Sequence, residues 1–157
     1  MLRLQHIISE GAELDLIRKL FREYSDELNA NLCFQSFDKE LENPLIKYAA
    51  PSGSLILAYW NDEAVGCIAL QALPEHGCCE MKRLYVQPAQ RKHKIGEALV
   101  EAILKDAIAL GYTNMKLDTL ERLQAAIHLY QKHGFIITNP YYKNPLQGVV
   151  YMEKQLV

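Results

Sequence analysis

Arg91, Lys92, His93 and Lys94 place four basic side chains at four consecutive positions, and Gly96 follows two residues later. This pattern suits the holding of a small polyanion. Leu84, Tyr85 and Val86 favour extended backbone, and Pro88 removes a donor that a continuing ladder would need. Beyond the basic loop, Ile95, Ala98, Leu99, Ala102 and Ile103 recur at helical spacing. Strand, basic loop and helix start together aim the free N–H groups of a first helical turn, and the positive end of its dipole, at one spot. Gly96 has no side chain to keep a ligand off the backbone. A solvated Lys/Arg turn is the plain alternative.

The elements that must position this loop follow from periodicity. Arg3 to Ser9 reads as a first strand, with Leu2, Leu4, Ile7 and Ile8 facing inward. Leu14, Ile17, Phe21, Tyr24 and Leu28 form the apolar stripe of an amphipathic helix. A short helix covers Phe37 to Glu42 before Pro44 interrupts it. Leu55 to Trp60, Ala64 to Leu70 and a run ending at Val86 are three strands with short links, which is an antiparallel meander. The helix from Ile95 stops at Gly111. Met115 to Thr119 is a strand, residues 121–133 a helix ending at Gly134, and Phe135 to Thr138 and Gly148 to Leu156 the last strands. Pro140 to Pro145 is a rigid aromatic loop. The expected architecture is one α+β domain over residues 1–157.

A formal net charge of −2 argues against nucleic-acid binding through a basic surface. No run approaches the ~20 apolar residues of a membrane span. Cys33, Cys67, Cys78 and Cys79 lack zinc spacing and read as reduced, mostly buried thiols, so a cytoplasmic location is expected.

Arg91-Lys92-His93-Lys94-Ile95-Gly96, between a Leu-Tyr-Val-x-Pro strand end and an Ile-Gly-x-Ala-Leu helix start, resembles the acyl-CoA pyrophosphate loop of the GNAT superfamily of N-acetyltransferases. That loop is written Gln/Arg-x-x-Gly-x-Gly/Ala, and Lys94 stands at its first glycine. The segment Ala126 to Phe135 is similar to the family's Ala-x-x-Leu-Tyr-x-x-x-Gly-Phe. The resemblance implies a mixed, mostly antiparallel sheet of six to seven strands flanked by about four helices. It implies acetyl-CoA as cosubstrate, held by Leu84, Tyr85, Val86, Arg91, Lys92, His93, Lys94, Ile95, Gly96, Glu97 and Ala98. Leu84 and Val86 would pair with the pantetheine arm. Leu123 stands where many relatives carry asparagine.

The implied reaction moves an acetyl group to a primary amine of a small molecule or a protein, by direct attack in a ternary complex. Such a reaction needs a held cofactor, a deprotonated amine, a stabilised carbonyl oxygen and a proton for the thiolate. Glu80 matches the position of a glutamate base in some relatives, and period-two alternation over six residues would put it on the same face as Val86. Tyr130 matches the tyrosine that faces the cofactor sulfur. A surface glutamate and a core tyrosine are the respective alternatives. Acceptor contacts are expected from Phe34, Phe37, Asp118, Thr119, Tyr141, Tyr142 and Asn144, with Asp118 equally suited to capping a helix. No metal is expected, and His128 and His133 read as exposed helix residues. The partner is an amine acceptor, with a homodimer left open. A non-catalytic acyl-CoA-binding regulatory module is the alternative function.

Overall fold

Runs rich in β-branched and aromatic residues become strands, and the runs with apolar residues three and four apart become helices. The computed structural model describes residues 1–29 and 36–157. Among them the order is β1 (Leu2–His6), α1 (Ala12–Leu28), α2 (Phe37–Glu42), α3 (Leu45–Tyr48), β2 (Ser54–Trp60), β3 (Glu63–Ala72) and β4 (Cys78–Val86). A 3₁₀ turn at Pro88–His93 leads into α4 (Ile95–Ala109), followed by β5 (Asn114–Leu120), α5 (Gln124–Lys132), β6 (Ile136–Thr138) and β7 (Val149–Gln155). The seven strands form one sheet in the order β1-β2-β3-β4-β5-β7-β6. Only β4 and β5 run parallel; the other pairs are antiparallel. This is the mixed, mostly antiparallel α+β architecture expected.

Alternation along the strands sends side chains into two cores. Ile56, Ala58, Ile68, Leu70, Met81 and Val86 pack against Leu99, Val100, Ile103 and Ile127 of α4 and α5. Leu55, Leu57, Cys67, Ala69 and Tyr85 pack against Leu14, Ile17, Phe21, Phe37 and Tyr48 of α1–α3. The sheet therefore separates two helical layers.

Three details differ from the sequence expectation. β1 ends at His6, because the chain turns toward α1 after Ile7 donates to the Leu55 carbonyl at 2.9 Å; Ile7 is buried and Ile8 is exposed. Pro44 ends α2 but also starts α3, since its fixed φ suits a helix N-terminus. The last helix starts at Gln124, three residues after the expected position, with Leu123 at its N-cap. Cys67, Cys78 and Cys79 are free and buried, and burial pushes the Cys79 thiol up to about 12. Cys33 lies outside the described residues.

The feature that matters most for function is a bulge in β4. Cys67 pairs with Tyr85 and Ala69 with Lys82, so Arg83 and Leu84 together face Ile68 alone. Arg83 takes a left-handed φ of 61°, costly for a non-glycine residue. Its guanidinium is buried between the rings of Tyr24 and Phe37 at 5.6 and 5.4 Å. Two bonds to Glu40, of 2.7 and 3.0 Å, hold it there.

Candidate active site

β4 and β5 pair only at Cys78–Asn114, Cys79–Met115 and Glu80–Lys116, and beyond Glu80, ahead of the bulge, they part. A cavity of about 60 Å³ opens between them, lined by Lys82, Leu84, Leu117, Asp118, Thr119 and Tyr130 among others. It shares Tyr24, Leu84, Leu123 and Ala126 with a cleft of about 470 Å³ that follows β4 to the start of α4.

The cleft end is built as an anion cradle. Lys94 caps α4 with φ 59° and makes no side-chain capping bond. The first helical bond runs from the Ala98 N–H to the Lys94 carbonyl, which leaves the N–H groups of Ile95, Gly96 and Glu97 ahead of it. A β-carbon built on Gly96 would lie 3.5 Å from Leu129 Cδ2 and 3.9 Å from Val86 Cγ2. The protein itself therefore leaves room for a side chain there, and the glycine keeps the backbone open to the cleft.

Of the residues expected at the cofactor, Leu84, Tyr85, Val86, Arg91, Lys94, Gly96 and Glu97 line this cleft. Lys92, His93, Ile95 and Ala98 do not. Lys92 is exposed, the His93 ring stacks on Trp60 at 4.0 Å, and the Ile95 side chain is fully buried in the core. Arg91 is already engaged, donating from Nε to the Val86 carbonyl at 2.8 Å and from Nη2 to Glu27 at 2.5 Å. Glu27, Arg122 and Gln124 also line the cleft and were not expected from sequence. Arg122 donates to the Leu28 carbonyl, which ties the approach to α5 to the end of α1. A basic residue in a connection carries no periodic signal, so only the fold brings it here.

On the α1–α3 side of the sheet stand the polar residues. Glu80 is 3% exposed; Gln71 donates to its Oε1 at 2.7 Å and the Tyr141 hydroxyl to its Oε2 at 2.5 Å. The Lys82 ammonium is 3.9 Å from Glu80, and burial pulls its pKa below the usual value. Asp118 accepts from the Tyr142 hydroxyl and from Asn144 Nδ2, the latter at 2.8 Å. The loop from Pro140 to Asn144 thus bonds to a carboxylate on each of the two parting strands. Tyr141, Tyr142 and Asn144 also border an open hollow on the loop's surface. Thr119 lines the cavity, whereas Phe37 is buried against Arg83. Phe34 lies outside the described residues.

Tyr130 enters the cavity from the opposite side, on α5. Its ring packs edge-on against Phe135 at 6.0 Å, and its hydroxyl makes no hydrogen bond among the described residues. Burial, reinforced by Tyr24 and Asp118, pushes its phenol above the usual value, so it holds its proton. The opening between β4 and β5 places this donor in one cavity with Asp118, whereas Glu80 does not line it.

Residues 15–135 match the acetyltransferase (GNAT) family. The chain belongs to that family. It is similar to an uncharacterized N-acetyltransferase of Schizosaccharomyces pombe, 45% identical over 147 residues that span 92% of this chain and 89% of the relative. A crystal structure of an acetyltransferase from Streptococcus agalactiae shares the fold at TM-score 0.80 and 20% identity, covering 98% of each chain. The N-acetyltransferase of Thermoplasma acidophilum, solved in complex with coenzyme A, has TM-score 0.72 and 16% identity over 99% of each chain. In this GNAT protein the family's first loop glycine is Lys94, and its left-handed backbone explains why glycine suits that position.

Proposed function

We propose that this protein transfers an acetyl group from acetyl-CoA to a primary amine by direct attack, with the cleft along β4 holding the acetyl donor. The observation that carries this reading is the parting of β4 from β5, which joins the cleft to a cavity lined by the Asp118 carboxylate and the Tyr130 phenol. The chain fits acetyl-CoA through the open N–H groups at the start of α4, the bare Gly96 and the unpaired edge of β4 beyond Glu80. Arg91, Lys94 and Arg122 supply positive charge around that end. When bound, acetyl-CoA supplies a thioester whose carbonyl carbon is open to an amine.

Asp118 draws the acceptor in as an ammonium ion, since it lines the cavity and its bonds from Tyr142 and Asn144 come from neutral donors. Glu80 takes one proton from the amine side through water; a carboxylate offers about four acceptor sites, and Gln71 and Tyr141 use two. Tyr130 gives its proton to the departing sulfur, and its buried position excludes bulk water from that transfer. The amine nitrogen, freed of one proton by Glu80, gains the acetyl group; the carbon–sulfur bond breaks, CoA leaves as a thiol, and the second proton lost by the nitrogen restores the Tyr130 phenol.

The test is release of CoA thiol from acetyl-CoA with a panel of primary amines, each product checked by mass. Acceptor-dependent thiol release with a product heavier by one acetyl group supports the reading. Tight acetyl-CoA binding with no turnover on any amine favours the non-catalytic module.

A further inference from the structure

Glu97 and Glu101 lie one turn apart on α4, and His133 follows the last residue of α5; one donor atom from each lies within 4.8 Å of the other two. His133 is half-buried rather than exposed, and its Nε2 is shut off from solvent with no hydrogen-bond partner among the described residues. An orphaned buried nitrogen costs free energy unless something satisfies it, and an ion is one such partner. We propose that Glu97, Glu101 and His133 form a site for a divalent cation of the zinc class that ties α4 to α5.

The donor set fits that class. One imidazole nitrogen and two carboxylate oxygens suit zinc or cobalt, and water completes a four-coordinate shell. Ligands about 2.0–2.2 Å from zinc stand about 3.5 Å from one another. The three groups must therefore draw together by about 1 Å, which Glu101 allows because it is exposed and free to rotate. Lys132 now neutralises Glu97, with its ammonium 3.0 Å from both carboxylate oxygens. Its side chain is 61% exposed and can swing into water when a doubly charged ion arrives. The site borders the acetyl-donor cleft through Glu97, which lines it, whereas Glu101 and His133 do not.

The test is calorimetric titration of chelator-treated protein with zinc chloride, with cobalt(II) absorption reporting the shell. Saturable binding at one ion per chain is expected. Glu101→Gln and His133→Ala should each weaken it by about tenfold or more. His128→Ala, on an exposed histidine of the same helix, should leave it unchanged. Glu101→Gln alters an exposed side chain, so it stays informative if His133→Ala misfolds. Absence of saturable binding by the wild-type chain overturns the proposal, and so does binding that survives Glu101→Gln at full strength.

Discussion

Glu80 and Val86 stand six residues apart on β4, yet they face opposite sides of the sheet. Val86 packs with Ile95 and Leu99 under α4, while Glu80 joins Gln71 and Tyr141 on the other face. Simple alternation puts both on one face; the extra residue at the Arg83 bulge inverts the parity. In the proposed function, this inversion lets one strand present a carboxylate toward the acceptor on one side and its Val86 edge to the acetyl donor on the other.

Arg83, the bulge residue, is held in a buried ion pair with Glu40. Removing one partner of such a pair costs about 3–5 kcal/mol, so Glu40→Gln should destabilise the protein by roughly that amount in chemical denaturation. Burial alone would raise the Glu40 carboxyl, but the Arg83 guanidinium outweighs it and holds the value below the usual carboxylate range. The stability from Glu40 is thus fully present above the unfolded carboxylate value and is lost as pH falls through the folded one. Wild-type stability should fall in that acid window, and Glu40→Gln should flatten the fall.

Lys94 occupies left-handed backbone that costs a non-glycine residue about 1–2 kcal/mol. Lys94→Gly removes that strain but frees the unfolded chain, which offsets about 0.4–1 kcal/mol. A net gain of about 0.5–1 kcal/mol in unfolding free energy is expected, together with weaker acetyl-CoA binding as the charge is lost. A less stable Lys94→Gly protein would contradict the backbone argument.

Gly96→Val separates folding from binding. Its β-carbon meets Leu129 and Val86 only at ordinary contact distance, so the melting temperature should stay near wild type. The new side chain points at Leu129 and Val86, which line the cleft with Gly96, so calorimetry should show acetyl-CoA affinity reduced by about tenfold or more. Unchanged affinity in a folded variant removes this loop from the site.

How much of this was legible in the sequence depends on the residue. The loop from Arg91 to Gly96 and the start of α4 were readable because a strand end, basic residues and a helical stripe follow one another directly in the chain. Gly111 and Gly134 marked their helix ends for the same local reason. The parity of Glu80 was not readable, because a bulge adds one residue without any composition signal. Nor were Arg122 at the cleft, Tyr141 on Glu80 or His133 beside Glu97, since each depends on contacts between distant segments. His93 shows the converse: it belongs to the loop in sequence, but stacking on Trp60 turns it away from the cleft.

Glu80→Gln keeps the size of the side chain and removes its basicity. The expected result is a lower kcat, by about 10²-fold or more, with unchanged acetyl-CoA affinity and a pH–rate profile that loses its acidic limb. A variant with wild-type rate and profile would assign amine deprotonation to solvent or to another group.

The most direct measurement is a comparison of kcat and acetyl-CoA affinity in Tyr130→Phe with an amine that the wild-type protein acetylates. The ring stays against Phe135, and only a hydroxyl with no partner among the described residues is lost. As proton donor to the departing sulfur, that hydroxyl should be worth about 10²–10⁴-fold in kcat, or ~3–5 kcal/mol of barrier. Acetyl-CoA affinity should barely move. A kcat within about threefold of wild type, under 1 kcal/mol of barrier, would contradict the placement of the reaction between β4 and β5 with Tyr130 as its acid.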